Sequence, residues 1–329
     1  MGAYQPILAR GVKLMALHPK IKEFQDMLGK TPAKPQWEST AAEVRETASQ
    51  KWKSEYLGSA DSVARIEYRY ISGPTAELPV KIYTPHGVGP FPAVIFFHGG
   101  GWVAGNIELN GVQHQQLAHE SRSVVVAVNY QKAPEHSFPT PFDDCYATTE
   151  WVFANADALL INKDEIGVAG DSAGGNLAAA VALKARDVNG PKIAFQILIY
   201  PAVDYKFDYP SMVENATGYS LTTQGMKWYW DQYMGAEADL ANPYFRPMAE
   251  ANLAQLPPTF TLTAEFDPLR DEGEIYAKRL SDAGVTSVIK RYDSLIHGFM
   301  LMQGFLPEAR EAVRDVAENI REFINPRVS

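Results

Sequence analysis

One serine lies between small residues where the sequence predicts a turn from a strand into a helix. Ser172 is the centre of the pattern Gly170-Asp171-Ser172-Ala173-Gly174, which follows the apolar run IGVA and opens an alanine-rich stretch. In that context the G-x-S-x-G pattern predicts a nucleophile elbow, in which the flanking glycines leave room for a strained serine backbone. A turn with a helix-capping serine is the alternative interpretation. The pattern therefore predicts a nucleophilic Ser172, with Gly170 and Gly174 in structural roles.

A serine hydroxyl attacks well only when a base takes its proton, so the chain must supply that base and an acid to orient it. His297 alone among the seven histidines follows the last strand-like run, where the chain order Ser, Asp, His places the base. Asp267 comes directly after the apolar run TFTLTAEF, and Pro268 stops that strand. We therefore predict a triad of Ser172, His297 and Asp267. Asp271 is the alternative acid, although its position favours the start of the next helix.

Three consecutive glycines follow another apolar run, in the sequence FFHGGGW. A phosphate-binding loop would read GxxxxGK[ST] or GxGxxG at the start of a helix, and the sequence matches neither pattern. A flexible linker is disfavoured because a predicted buried strand precedes the glycines and Trp102 follows them. The remaining interpretation is a loop that offers backbone N–H groups to an oxyanion, with His98 and Gly99 in structural roles. A side chain at Gly100 is expected to impair turnover more than folding.

The hydrophobic pattern predicts the elements that must position these groups. Apolar runs without polar alternation indicate strands covered on both faces, as in a parallel sheet, and helix-like stretches alternate with them. We therefore predict an α/β fold with about eight mostly parallel strands flanked by helices, and an antiparallel pair at the start. The predicted strands are an antiparallel pair from residue 65 onward and the runs 93–97, 123–129, 166–170, 193–200, 259–266 and 287–292; the predicted helices are 112–121, 140–156, 173–187, 271–283 and 307–324.

Two parts of the chain do not follow this alternation. Residues 203–245 are rich in aromatic side chains and predict a helical insertion over the carboxyl edge of the sheet. Ordinary packing of aromatic side chains in the core is the alternative for this stretch. Residues 1–60 carry apolar positions compatible with two or three helices, for instance over 8–17 and 20–28.

Composition excludes several classes of protein. The chain has 329 residues, of which 46% are hydrophobic and 21% charged, as in ordinary globular proteins. A net charge of −9 argues against a nucleic-acid partner, and the single cysteine, Cys145, excludes an intramolecular disulfide. Arg10, Lys13 and Lys20 interrupt the N-terminal apolar residues, and no run is long enough to cross a bilayer. We expect a cytoplasmic protein without stable membrane insertion.

Four motifs, HGGGW, GDSAGG, DPLRDEG and HGF, occur in this order and together resemble the bacterial hormone-sensitive-lipase-like esterases of the α/β-hydrolase fold. The resemblance spans about residues 65–324, with YQKAPE where the family has YRLAPE. It implies a carboxylesterase that hydrolyses short- to medium-chain esters through an acyl-enzyme, without a metal or other cofactor, often as a homodimer. It also implies oxyanion donors at Gly100 and Gly101, to which the fold adds the N–H of Ala173.

The resemblance further implies a domain organisation. Residues 1–55 and the insertion 203–245 are expected to form a helical cap over a catalytic domain of residues 56–202 and 246–329. Four side chains beside the motifs, Trp102, Tyr200, Met300 and Leu301, are expected to line the pocket for a small-molecule ester; core packing is the alternative for the last two.

Other activities on the same scaffold stay open. They include deacetylation of a sugar or a drug and hydrolysis of an amide. A non-catalytic receptor is disfavoured, because the plant gibberellin receptors that resemble this family lack the catalytic histidine, whereas His297 is present here.

Overall fold

The computed structural model describes residues 16–29, 34–236 and 238–326, which build one eight-stranded sheet with helices on both faces. The strands are β1 (Arg65–Ser72), β2 (Glu77–Thr84), β3 (Phe91–Phe97), β4 (Val124–Val128), β5 (Ile161–Asp171), β6 (Gln196–Ile199), β7 (Thr259–Phe266) and β8 (Ser287–Ile296). The helices are α1 (Pro19–Gly29), α2 (Ala41–Lys51), α3 (Ser54–Leu57), α4 (Gly111–Ser121), α5 (Thr140–Ala154), α6 (Ala173–Asp187), α7 (Pro210–Glu214), α8 (Thr223–Tyr233), α9 (Arg270–Asp282) and α10 (Pro307–Ile324).

The sheet is mixed only at one edge. Its order is β1-β2-β4-β3-β5-β6-β7-β8, and β2 runs antiparallel to both β1 and β4, while the remaining neighbours are parallel. Successive residues of a strand point to opposite faces, so β3 sends Ile95 and Phe97 into one core and Val94 and Phe96 into the other. Burial on both faces explains why this strand reads as an uninterrupted apolar run.

Helices cover the two faces according to their apolar stripes. Residues of α5, α6 and α9 contribute to one core, and residues of α4 and α10 contribute to the other. In α10 the buried side chains include Val313, Val316, Ala317 and Ile320, which follow the 3.6-residue period of a helix. All residues of α6 from its start to Leu183 are buried, which explains the small side chains of this helix.

Most predicted elements are confirmed. The predictions 173–187, 259–266 and 307–324 have the same bounds as α6, β7 and α10, and the antiparallel pair corresponds to β1 and β2. Strand β8 extends four residues beyond the predicted run, because Ile296 still pairs with Phe266 of β7. The predicted helix at 20–28 corresponds to α1, whereas the one at 8–17 lies almost entirely outside the described residues.

Local capping determines where two helices outside the main alternation begin. Helix α2 starts after Thr40, whose side chain accepts the N–H of Glu43 while the Glu43 carboxylate accepts the N–H of Thr40. Helix α8, in the insertion 203–245, starts after Thr222, which accepts the N–H of Gly225 at 3.0 Å. Of the helices within 16–29, 34–236 and 238–326, none has both the length and the apolar character needed to cross a membrane.

Candidate active site

Ser172 lies at the turn between β5 and α6 in a backbone conformation that side-chain-bearing residues rarely adopt, with φ 58° and ψ −119°. The turn is tightly packed on both sides. A Cβ atom at Gly170 would lie 2.1 Å from the carbonyl oxygen of Gly174, and one at Gly174 would lie 1.9 Å from that of Phe97. Glycine is therefore required at both positions because backbone atoms occupy the space, which is the steric reason the elbow pattern predicts.

The three side chains of the predicted triad meet at the carboxyl edge of the sheet. His297 Nε2 lies 2.9 Å from Ser172 Oγ, and His297 Nδ1 lies 2.7 Å from Asp267 Oδ2. Asp267 is fully buried, and its second oxygen accepts the N–H of Leu269 at 2.9 Å. When Nδ1–H donates to this carboxylate, Nε2 is left to accept the serine proton, which is the arrangement of a nucleophile with an oriented base.

The alternative acid, Asp271, has different partners. Its Oδ2 accepts the N–H of Ser211 in the first turn of α7 at 2.8 Å, and its Oδ1 accepts from Arg270 Nε at 2.8 Å. Asp271 thus ties α7 to the start of α9. Its own carboxylate is held away from His297, whose Nδ1 pairs with Asp267.

The glycine loop after β3 packs closely against itself and against α8. A Cβ atom at Gly100 would lie 2.3 Å from the carbonyl oxygen of Ala104, and one at Gly101 would lie 2.1 Å from the ring of Tyr229. Both glycines also have positive φ, 119° and 62°. A side chain at Gly100 is expected to impair turnover more than folding, but the structure adds a folding cost to that expectation, because the Cβ would strike backbone atoms of the same loop.

Three backbone N–H groups near Ser172 have no hydrogen-bond acceptor within the part of the chain that the structure describes. They belong to Gly100, Gly101 and Ala173. Backbone donors without an acceptor are rare in buried regions, and here they lie in the glycine loop and at the N-terminus of α6, where the helix dipole also favours negative charge. This set of donors suits an oxygen that becomes negatively charged during a reaction.

A buried carboxylate joins the glycine loop to the nucleophile turn. Asp171 Oδ1 accepts the N–H of Gly99 at 2.9 Å and the side-chain amide of Asn110 at 3.3 Å. Burial raises the pKa of Asp171 to about 6, although its hydrogen bonds and the nearby His297 act to lower it. Sequence did not single out either Asp171 or Asn110, because the only signal was the position of Asp171 beside the serine.

His98 is placed as a structural residue. It is fully buried, its Nδ1 lies 2.7 Å from the carbonyl oxygen of Gly99, and its ring stacks on Tyr130 at 4.3 Å. Burial lowers the pKa of His98 well below its usual value. The ring is therefore neutral and supports the glycine loop through its contact with the carbonyl oxygen of Gly99.

A cavity of about 200 Å³ contains Ser172 and His297. Part of its lining comes from the glycine loop, from the β5–α6 turn and from the segment around His297, and a further part comes from two distant stretches of sequence. Those stretches are residues 34–52, with Lys34, Gln36, Ser39, Val44, Thr47, Ala48, Lys51 and Trp52, and residues 220–229, with Ser220, Leu221, Met226 and Tyr229. Both stretches therefore line the same cavity as Ser172.

Three of the four side chains expected in the pocket belong to the buried core instead. Trp102 stacks on Tyr233 with ring centroids 4.4 Å apart, Tyr200 packs on the ring of His297 at 4.7 Å, and Met300 is also buried. Of the four, only Leu301 borders the cavity as the described residues form it. The expectation for Trp102, Tyr200 and Met300 is corrected, because all three are buried and none of them is among the described residues that line the cavity.

The insertion is hydrogen-bonded to the loops that carry the triad. Asn215 donates its side-chain amide to the carbonyl oxygens of Glu265 and Asp267, at 3.1 and 3.2 Å. Ser220 Oγ donates to the carbonyl oxygen of His297 at 2.8 Å. The backbone positions of Asp267 and His297 are therefore held in part by residues of the stretch 203–245.

Glu272 fixes the start of the same insertion. Its Oε1 accepts the N–H groups of Val203 and Asp204 at 2.7 and 3.1 Å. The residue is fully buried, and burial raises the pKa of Glu272 well above its usual value. The side chain therefore ties the first residues of the insertion to α9.

Arg45 joins α2 to the glycine loop. Its guanidinium donates to the carbonyl oxygens of Val103 and Ala133, at 2.8 and 2.9 Å, and to Glu135 at 2.8 Å. The ion pair lowers the pKa of Glu135 to about 2. One side chain thus connects the N-terminal cover of the cavity with the loop beside the nucleophile.

Comparison with known proteins agrees with this geometry. A family model described as the alpha/beta hydrolase fold matches residues 94–301. The esterase LipI of Mycobacterium tuberculosis is 39% identical over 248 residues, which cover 74% of this chain and 77% of the relative. An arylesterase of Saccharolobus solfataricus is 39% identical over 229 residues, which cover 68% and 73%.

A solved structure, the hyperthermophilic esterase from the archaeon Pyrobaculum calidifontis, is 38% identical and superposes with a TM-score of 0.87, covering 94% of this chain and 99% of that one. An eight-stranded, mostly parallel sheet with a serine at a nucleophile elbow defines an α/β hydrolase. The chain belongs to this fold family, in its hormone-sensitive-lipase-like esterase branch.

Proposed function

We propose that this protein is a serine carboxylesterase that hydrolyses short- to medium-chain carboxylic esters through an acyl-enzyme. The observation that carries the proposal is the continuous hydrogen-bonded line from Ser172 Oγ through His297 to Asp267, at 2.9 and 2.7 Å. That line opens into a cavity of about 200 Å³, a size that suits a small ester. The esterase names of the relatives support the same reaction class.

In the first half of the reaction, Ser172 Oγ attacks the ester carbonyl carbon and its proton passes to His297 Nε2. The carbonyl oxygen becomes an oxyanion and accepts the N–H groups of Gly100, Gly101 and Ala173. One such donor contributes about 3–4 kcal/mol to the stability of the transition state. His297 then gives the proton to the leaving oxygen, and the alcohol departs.

In the second half, a water molecule gives a proton to His297 Nε2 and attacks the acyl carbon. The same three donors stabilise the second oxyanion. When it collapses, the proton returns from His297 to Ser172 Oγ and the carboxylic acid leaves. Throughout, Asp267 orients the imidazole and stabilises its cationic form.

The proposal includes the arrangement of the chain around this site. Residues 1–55 and 203–245 act as a cap over a catalytic domain formed by residues 56–202 and 246–329. The support is that residues 34–52 and 220–229 line the cavity together with Ser172. A cytoplasmic location, expected because no apolar run is long enough to cross a bilayer, and a homodimer, which the family resemblance implies, complete the proposal.

The test is hydrolysis of p-nitrophenyl butyrate by the wild type and by Ser172→Ala. We expect kcat to fall by about 10⁴-fold or more, because no other group in the triad can take over as nucleophile. Ser59→Ala, at an exposed serine outside the site, is the control and should keep wild-type kinetics. Labelling by an organophosphate should occur in the wild type and not in Ser172→Ala. A Ser172→Ala variant with near-wild-type turnover would rule the proposal out.

A further inference from the structure

We propose that Lys51 makes this enzyme selective for esters that carry a carboxylate, by pairing with that carboxylate while Ser172 attacks the ester carbonyl. The inference rests on the proposed ester hydrolysis and adds the substrate class. Lys51 is the last residue of α2, and it borders the same cavity as Ser172 and His297.

The ammonium group of Lys51 has no acidic partner and no hydrogen-bond acceptor among the residues that the structure describes. Its contacts are with two aromatic rings: Nζ lies 5.1 Å from the centroid of Trp52 and 5.8 Å from that of Phe24. Such contacts stabilise a cation only modestly and leave its donors unused. Burial lowers the pKa of Lys51 to about 8, so an anion that entered the cavity would stabilise the charged form.

The other charged groups at the cavity are already paired. Lys34 lies 3.9 Å from Glu43, and Asp171 accepts the N–H of Gly99. The imidazole of His297 is held by Asp267. Among the described residues that line this cavity, Lys51 is therefore the charged side chain without an ionic or hydrogen-bonding partner.

A carboxylate fits this position better than a doubly charged phosphate. The cavity of about 200 Å³ must also hold the ester group and its linking carbons, and a single ammonium group matches one negative charge. The carboxylate can be on the acyl side, as in the monoester of a dicarboxylic acid, or on the alcohol side, as in the acyl ester of a hydroxy acid. The two sides are separate arms of the experiment.

The experiment compares kcat/KM for charged and neutral esters of matched length, followed by titration of the acid released at pH 7. In the acyl arm, monoethyl glutarate is compared with ethyl valerate. In the alcohol arm, 4-acetoxybutyrate is compared with butyl acetate. The variants are Lys51→Met, which removes the charge, and Lys51→Arg, which keeps it. Lys53→Met, at an exposed lysine two residues away that does not border the cavity, is the matched control.

We expect the charged-to-neutral ratio to fall about tenfold or more in Lys51→Met in one of the two arms, the effect of losing a charge-assisted hydrogen bond. Lys51→Arg should retain most of the ratio, and Lys53→Met should match the wild type. If the charged-to-neutral ratio of kcat/KM in Lys51→Met agrees with that of the wild type within twofold in both arms, the inference is overturned. Lys51 would then serve only to pack on the rings of Phe24 and Trp52. The use of a ratio cancels any general loss of activity.

Inhibition of the wild type keeps the inference testable if Lys51→Met does not fold. Glutarate should inhibit ethyl valerate hydrolysis at least tenfold more strongly than valerate does, and equal inhibition would overturn the inference. Failure of the proposed function looks different, because then neither the neutral nor the charged ester is hydrolysed, or Ser172→Ala hydrolyses both as fast as the wild type.

Discussion

Replacing Asp171 by asparagine should make the protein more stable at neutral pH than the wild type. The wild-type carboxylate is only 4% exposed, and burial raises its pKa from 3.8 to about 6. The amide of Asp171→Asn keeps an oxygen for the N–H of Gly99 and for Asn110, but it never ionises. The variant therefore retains the contact that holds the glycine loop and loses the cost of a buried charge.

The sign and size of the effect follow from proton linkage. A carboxyl group whose pKa is higher in the folded than in the unfolded chain binds its proton more tightly in the folded chain. The free energy of unfolding of the protein therefore falls as the pH rises from about 4 to about 6. A rise in pKa from 3.8 to about 6 corresponds to about 3 kcal/mol. The free energy of unfolding of Asp171→Asn, minus that of the wild type, should therefore increase by about 2 kcal/mol between pH 4 and pH 8, because part of the total effect has already developed at pH 4.

Urea unfolding at pH 4, 5, 6, 7 and 8 measures this difference directly. Asp293→Asn, at an exposed carboxylate of β8, serves as the control for the replacement of a carboxylate by an amide. A difference for Asp171→Asn that stays constant within 0.5 kcal/mol (about a third of the change that one pKa unit gives) would refute the reasoning.

Two further predictions concern the side chains that hold the cover of the cavity. Glu272→Ala leaves the N–H groups of Val203 and Asp204 buried without an acceptor and should lower the free energy of unfolding in urea by about 2–5 kcal/mol. Glu272→Gln keeps an oxygen for both N–H groups and should cost much less, and equal stability of the two variants would contradict this role. Arg45→Ala removes the contacts of α2 with two carbonyl oxygens and Glu135. It should raise KM for a short ester several-fold and lower the free energy of unfolding by about 1–2 kcal/mol, and Arg45→Lys should have intermediate values. An unchanged KM in Arg45→Ala would show that the position of α2 does not depend on Arg45.

Local pattern was sufficient to predict the nucleophile turn and the positions of the acid and the base. Ser172 and Asp267 follow β5 and β7, which are mostly buried, and such strands produce apolar runs that are visible in the sequence. His297 follows β8, an edge strand with several exposed residues, and its position was predicted from the chain order Ser, Asp, His. The carboxyl ends of β5, β7 and β8 meet at one edge of the sheet, so residues 95 or more positions apart in sequence, such as Ser172 and Asp267, become neighbours.

The lining of the cavity could not be predicted in the same way. Proximity in sequence to a motif is a poor guide to the direction of a side chain: Trp102 follows the glycine loop directly, yet its φ of 59° turns the backbone and its ring stacks on Tyr233. Conversely, Lys51 and Tyr229 border the cavity although no motif includes them. Their positions depend on how two segments far apart in sequence pack over the sheet.

The segment DPLRDEG, residues 267–273, has a consequence for engineering this fold. It begins with Asp267 of the predicted triad and also contains Asp271 and Glu272. Asp271 binds the insertion at α7, and Glu272 binds it at residues 203–204. A chimaera that imports residues 203–222 from a relative must therefore also import the matching first turn of α9. The insertion and the first turn of α9 therefore form one exchangeable unit, and one end of that unit lies at Asp267, a member of the predicted triad.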